Sequence, residues 1–246
     1  MDVKIVSRTK SIGYILKAGV IISFTLGLLL HFIDTRSGFT GDIFRAFTIQ
    51  SNLWIATLCA VFLVMDIFFK NTIKPLWLHV LKFMFTVSIL LTYIVFSILL
   101  APLVEIDYLL SLSNIFLHTV TAILALMDFL LEDYVFPLKT KSLALFGIIM
   151  PFLYSIYFFI RYEVSGIIPA QYFFLDFKKS GWLTISSQGI GVIYWLAILC
   201  VTLFFIGNIA IWLQQKCIKI PVKTVLLTLG TMLVLAVLFS GLSLVV

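Results

Sequence analysis

The chain has 246 residues, of which 62% are hydrophobic and 11% are charged, and its mean hydropathy is +1.18. A soluble domain carries roughly 25% charged residues, so this composition excludes an ordinary soluble enzyme or binding domain. The net charge of +6 does not indicate a nucleic-acid partner, because the basic residues cluster in short loops between apolar runs. The three cysteines show no CxxC spacing, which excludes a disulfide framework and a zinc signature.

Seven apolar runs follow one another along the chain, and each is long enough to cross a bilayer. They cover residues 11–33, 46–69, 76–101, 109–131, 142–161, 189–213 and 223–245. The sequence therefore predicts an all-α, polytopic bundle of about seven transmembrane helices, with six as the alternative, in a single domain over 1–246. We expect the first run to be a retained span rather than a cleaved signal peptide, and we expect no metal and no cofactor.

The distribution of lysine and arginine predicts how the bundle is oriented. Twelve basic residues fall on the side of the N-terminus and five on the other side, which places the N-terminus inside. Lys17 and Lys82 lie near the inner ends of their spans, where we expect their ammonium groups to snorkel to the interface. His31 and His79 also lie near span ends, and we expect them to be interfacial. The chain is thus predicted to be a multi-pass membrane protein, of the plasma membrane or, as the alternative, of the endoplasmic reticulum.

The longest connection, residues 162–188, lies on the predicted outer side and is rich in aromatic residues. Long loops are often functional, so this one is interpreted as a cap over a cavity. The alternative is an interfacial aromatic belt without a role in any site.

Polar residues recur along one face of the second span. Thr48, Asn52 and Asp66 share this face at alternating spacings of four and three, and Gln50 and Ser51 add polar groups at its outer end. Because polar groups inside a bilayer are costly, they are expected to point into the bundle and often mark a site.

The fourth span carries a second polar face. Ser111, Asn114, His118, Thr121 and Asp128 lie on it, again at spacings that suit one side of a helix. His118 is about nine residues into its run, or roughly 14 Å. This depth matches that of a residue at the outer end of the second span only if the second helix begins earlier than hydropathy indicates.

A hydroxyl and an imidazole in the outer half of the bilayer suit nucleophilic catalysis. His118 can take the proton of Thr48 while the threonine oxygen attacks an acyl carbonyl. The alternative is that the threonine bonds its own backbone or joins helices and that the histidine is a satisfied interior group. Asp66 and Asp128, near the inner ends of their spans, can pair with basic residues, contact water or relay protons.

Three segments together carry a resemblance to a known family. FTIQSNLW opens the second span, FLHTVTAILALMDFLL fills the fourth, and PFLYSIYFFIRYEVSGIIPAQYFFLDFKKSGW covers the fifth span and the outer loop. In order and spacing they resemble the androgen-induced-gene family of multispan membrane proteins, which includes the androgen-dependent TFPI-regulating protein. The chain resembles a microbial member of this family, although Ala122 stands where the family's members tend to have a proline.

The resemblance implies a threonine hydrolase that cleaves fatty acid esters of hydroxy fatty acids. The family's intramembrane Thr and His fall on Thr48 and His118. We therefore hypothesise a lipid-ester hydrolase whose partners are the bilayer and a fatty acyl ester. Oxyanion donors are expected among four polar neighbours: Gln50, Ser51, Asn52 and Asn114.

The same residues also allow other interpretations of the mechanism and the function. Asp128 is about ten residues from His118, roughly 15 Å along the helix, so a dyad is expected rather than a triad. One alternative function is a non-catalytic lipid-binding or transport protein with a polar cavity between helices two and four. Another is a structural membrane scaffold in which the polar faces only lock helices together.

Overall fold

A computed structural model describes residues 10–35, 43–69, 73–136, 141–165, 172–186 and 189–242. Within these ranges seven helices are long and apolar enough to cross a membrane, so the predicted all-α polytopic bundle is confirmed. The strands described in the same ranges form one small hairpin, in which Ile185–Ser186 (β1) pairs antiparallel with Gly189–Ile190 (β2).

The helices follow the predicted order closely. They are α1 (Lys10–Thr35), α2 (Phe47–Phe68), α3 (Leu76–Val95), α4 (Ile106–Leu109), α5 (Leu112–Asn114), α6 (Thr121–Leu130), α7 (Lys141–Ser165), α8 (Phe177–Ser180), α9 (Val192–Lys219) and α10 (Pro221–Leu242). Two π-helical segments extend this set: Phe96–Leu100 continues α3, and Ile115–Val120 joins α5 to α6. Short 3-10 turns cover Ile43–Arg45, Ala101–Leu103 and Phe173–Leu175.

Several span ends differ from the prediction by a few residues, as at the end of α9, and two of these differences affect the region around the predicted site and the outer loop. The fourth span begins at Leu112 instead of residue 109, because the Ser111 hydroxyl accepts a hydrogen bond from the Asn114 N–H and caps a new helical start there. The helix α7 passes through Pro151 and reaches Ser165, so the first residues of the predicted 162–188 loop are helical.

The third span forms the centre of the bundle. It is 72% buried, against 17% for the last span, and it packs against α2, α6, α7 and α9. Small residues let the neighbouring helices approach closely: a Cβ at Gly147 would meet Val87 at 2.8 Å, and one at Gly207 would meet the Ala144 carbonyl at 3.2 Å. The central helix therefore separates two polar regions, which lie toward opposite ends of the bundle.

Candidate active site

Thr48 lies in the first turn of α2. The helix starts at Phe47, directly after the extended Ala46, so the threonine sits at the end of the bundle that the lysine bias predicts to be outer. Its hydroxyl oxygen is 3.2 Å from His118 Nε2. The fold thus brings together the threonine and the histidine that the polar faces and the resemblance single out, from positions 70 residues apart.

His118 lies in the π-helical segment Ile115–Val120 and is buried. Its ring stacks on Phe96, the first residue of the other π-helical segment, with ring centroids 3.9 Å apart. Segments of π-helix are frequent at functional sites because they redirect side chains within a helix. The second span does not begin early, since α2 starts at Phe47, and the fourth span begins late, at Leu112, which brings His118 nearer to the start of its span.

Two polar neighbours fasten the turn that carries Thr48. The Asn52 amide donates to the Thr48 carbonyl at 2.7 Å and to the Leu117 carbonyl at 2.9 Å, which ties α2 to the residue before His118. The Ser51 hydroxyl donates to the Thr48 carbonyl and lies 2.8 Å from the Thr92 hydroxyl of α3. Both side chains therefore hold the backbone around the pair.

The other two predicted oxyanion donors also engage acceptors away from the threonine hydroxyl. Gln50 donates to the Phe44 carbonyl at 2.8 Å, and Asn114 donates to the Leu109 carbonyl at 2.9 Å. The four residues expected to supply donors thus use them to fix local backbone.

Tyr172 contributes a group at the site that was not singled out in the sequence. Its phenol oxygen accepts a hydrogen bond from the Phe47 N–H at 3.1 Å and also contacts Thr48. Burial raises the pKa of Tyr172 above its ordinary value and outweighs the opposing hydrogen bonds from Thr48 and Phe47, so the phenol stays protonated near neutral pH. Tyr172 was one aromatic residue among several in the outer loop, and no spacing linked it to Thr48.

An apolar cavity of about 240 Å³ adjoins the threonine. Thr48 and Tyr172 stand in its wall, and Phe174 and Leu175 of the outer segment close one side. The remaining wall is mostly aliphatic and aromatic and includes Leu91, Val95, Leu100, Phe152, Phe159, Leu196 and Leu203. Phe152 is 58% exposed on the surface of the bundle, so the cavity reaches the lipid-facing side.

A second polar region lies at the opposite end of the bundle, where six charged side chains meet. We call them the charged cluster: Lys17, Asp66, Lys74, Lys82, Asp128 and Glu132. The snorkelling predicted for Lys17 and Lys82 is wrong, since they are only 4% and 1% exposed. Acidic partners on α2 and at the end of α6 draw both ammonium groups into the bundle.

The contacts inside the charged cluster are close. The carboxylate oxygens of Asp128 lie 3.1 Å from Lys17 Nζ and 2.7 Å from Lys82 Nζ, and Lys82 also pairs with Glu132. Asp66 lies 3.8 Å from Lys17 and pairs with Lys74. Asp66 and Asp128 were each expected to pair with basic residues, contact water or relay protons. The structure places both beside lysines.

His79 lies beside the charged cluster and is buried, so the interfacial position predicted for it is wrong. Its ring stacks on Tyr134, with centroids 4.6 Å apart, and meets the edge of Phe62. Aromatic packing at the end of α6 therefore covers the ring that hydropathy placed at a span end.

Across the described part of the chain, no three His, Cys, Asp or Glu side chains are placed to hold a metal ion. No protein family, curated protein or solved structure matches the chain. What this site does must therefore be argued from its geometry.

Proposed function

We propose that the protein is a membrane-embedded hydrolase of lipid esters, such as fatty acid esters of hydroxy fatty acids, with Thr48 as nucleophile and His118 as base. One observation carries the proposal: the Thr48 hydroxyl is 3.2 Å from His118 Nε2 and lines an apolar cavity. The resemblance of three segments to the androgen-induced-gene family supports the same pair. The proposed location is the plasma membrane, with the N-terminus inside.

The distance suits proton transfer, since a general base must lie within about 2.6–3.2 Å of the group it deprotonates. With His118 neutral and its proton on Nδ1, Nε2 takes the hydroxyl proton as Thr48 Oγ1 attacks the ester carbonyl. The tetrahedral intermediate collapses, and the leaving alkoxide takes that proton from His118. Water then attacks the acyl-threonine, His118 accepts a proton from the water and returns it to Thr48, and a fatty acid leaves.

Tyr172 is the proposed donor to the oxyanion. Its oxygen already accepts the Phe47 N–H, so its own O–H proton remains available to a negative oxygen beside Thr48. The Phe47 N–H belongs to the first turn of α2, where the partial positive charge of the helix favours developing negative charge. We therefore propose Tyr172 for this role in place of the four residues predicted from the sequence.

The cavity suits an acyl chain. Its walls are mainly hydrocarbon, and the exposed Phe152 places one side of it at the lipid-facing surface of the bundle. A substrate dissolved in the bilayer can therefore enter sideways, without crossing water. Its ester group would come to rest where Thr48 and Tyr172 supply the polar part of the wall.

The catalytic unit is proposed to be a dyad. Within the described residues, no carboxylate forms a hydrogen bond or ion pair with His118, and Asp128 is engaged by two lysines in the charged cluster. Orientation of the imidazole falls to packing, chiefly the stacked ring of Phe96.

The test uses purified full-length protein, a fluorophosphonate probe and a panel of lipid esters. Thr48→Ala and His118→Ala are each expected to lower labelling and ester cleavage by at least about a thousandfold, as loss of a nucleophile or its base does in other hydrolases. Thr48→Ser retains a hydroxyl and is expected to keep labelling.

Thr202→Ala is the matched control, because it removes a threonine hydroxyl of α9 that donates to the Ile198 carbonyl and does not line the cavity. It is expected to leave labelling intact and to change stability by about 1 kcal/mol. Full activity in Thr48→Ala would end the threonine mechanism. A folded wild-type protein that binds intact lipid esters without cleaving them would support the lipid-binding or transport alternative instead.

A further inference from the structure

A second cavity, of about 710 Å³, lies on the far side of α3 from the Thr48 cavity. It is bounded by α3, α6, α9 and α10, and its walls are apolar, with Ile94, Leu126, Ile206 and Leu235 among them. Three threonines of α10 also line it, but each donates to the carbonyl four residues earlier: Thr224, Thr228 and Thr231. The hydroxyls are therefore satisfied within the helix, and the cavity offers its contents little besides hydrocarbon.

Two lysines stand at one end of this cavity. Lys216 lies in the last turn of α9 and Lys223 in the first turn of α10, and both line the cavity. Within the described residues, neither forms an ion pair with an acidic side chain, whereas all three lysines of the charged cluster are paired with acids. Lys216 lies over the ring of Trp212, 5.4 Å from its centroid, and so stays at the mouth.

The dimensions correspond to one leaflet. From Lys223 to Leu235 the helix rises through twelve residues, or about 18 Å, close to half of a hydrocarbon core about 30 Å thick. The cavity is open to the bilayer, since Leu227 in its wall is 60% exposed. One acyl chain can lie between the helices while a second stays in the membrane.

We propose that this cavity is a binding site for an anionic phospholipid. One acyl chain lies between α3 and α10, and the phosphate pairs with Lys216 and Lys223. Apolar walls bind the chain, and two cations without acidic partners select a negative headgroup over a zwitterionic one. The site is separate from the Thr48 cavity, and its occupancy does not depend on whether the protein is an enzyme.

Native mass spectrometry of the full-length protein tests this with three probes: dioleoyl phosphatidylglycerol, dioleoyl phosphatidylcholine and oleate. Phosphatidylglycerol is expected to bind most tightly. Lys216→Gln and Lys223→Gln are each expected to weaken it about fivefold, since a lysine near an anionic surface contributes about that factor. Thr231→Phe, which fills the apolar part without altering charge, is expected to weaken both phospholipids together.

The charge-matched control is the double variant Lys178→Gln/Lys179→Gln, because both lysines lie in α8 and neither lines the cavity. It is expected to leave phosphatidylglycerol affinity unchanged. Equal losses in this control and in Lys216→Gln/Lys223→Gln would mean a general surface-charge effect and would overturn the site. Equal binding of the two phospholipids, or preferred binding of oleate, would overturn its selectivity for an anionic phospholipid.

Discussion

The two polar regions, which lie toward opposite ends of the bundle, differ in how their polar side chains are paired inside the membrane. The Thr48–His118 pair is joined by one neutral contact beside an apolar cavity. The charged cluster holds three lysines and three carboxylates in contact with one another. Both lie largely inside the bundle, but the first leaves the Thr48 hydroxyl in the wall of an open cavity.

That difference separates a structural role from a reactive one. Buried charges are tolerated when each is paired, and the pairs then hold their helices in one arrangement. A hydroxyl needs no such compensation, so Thr48 can line a cavity while His118 stays buried behind it within reach of its oxygen. The charged cluster thus belongs to assembly of the bundle, while the proposed chemistry belongs to the neutral pair.

The largest effect on stability is expected from Lys82→Met. It leaves Asp128 and Glu132 with one lysine fewer, and breaking a buried pair in this way costs about 3–5 kcal/mol. The free energy of unfolding, measured by SDS titration, should fall by that amount. Lys82→Met/Glu132→Gln should recover part of the loss, and the exposed Lys219→Met should lose little. An unfolding free energy unchanged in Lys82→Met would remove the structural role of the cluster.

Tyr172→Phe tests the Thr48–His118 region in the same way, because it should impair the proposed reaction without unfolding the protein. Loss of one oxyanion donor lowers kcat by roughly 10²–10³-fold. We expect that loss in lipid-ester cleavage, with little change in KM. Tyr157→Phe is the control, since its hydroxyl accepts a hydrogen bond from Arg161 at 2.9 Å and does not line the cavity. Equal kcat in wild type and Tyr172→Phe would assign the oxyanion to other donors.

Asn52→Ala should affect both properties to a smaller degree. It removes one hydrogen bond to the Thr48 carbonyl and one to the Leu117 carbonyl, the second of which ties α2 to the residue before His118, and losing such bonds costs about 0.5–1.5 kcal/mol each. A lower thermal midpoint with reduced labelling by the fluorophosphonate is expected. Normal labelling at normal stability would show that Asn52 does not position Thr48.

The smallest effect is expected from salt. Raising sodium chloride from 0.05 to 0.5 M screens exposed charges but barely reaches buried pairs, so the thermal midpoint should shift by less than about 2 °C. A strong fall in the midpoint of wild type, absent in Lys82→Met/Glu132→Gln, would mean that water reaches the charged cluster.

The sequence predicts the seven helices well because each is a long apolar run, and run length depends on no distant residue. It also pairs Thr48 with His118, since one polar face of each span can only point inward. The contact of Tyr172 with the first turn of α2 lies beyond such reasoning, because its loop has no period and the hydrogen bond from Phe47 is made across 125 residues.

The same limit explains the errors at Lys17, Lys82 and His79. Hydropathy gives the depth of a residue along its own helix, and all three lie near the ends of their spans. Whether such a side chain reaches water or turns inward depends on what the neighbouring helix presents there. The acidic residues on α6 and the ring of Tyr134 decide this, and no pattern within one span contains that information.

The charged cluster also has a consequence for biogenesis. Lys82 is synthesised 46 residues before Asp128, so α1 and α3 enter the bilayer before their main acidic partners exist. Inserting a lysine at the centre of a span costs about 2.5–3.5 kcal/mol of free energy. A lysine near the end of a span avoids most of this cost, because its ammonium group can reach the interface. When α6 arrives, Asp128 and Glu132 draw both lysines inward. Insertion of α6, with three spans still to follow, is then the step that pairs these lysines with Asp128 and Glu132, and a nascent chain that ends before α6 keeps them at the membrane surface.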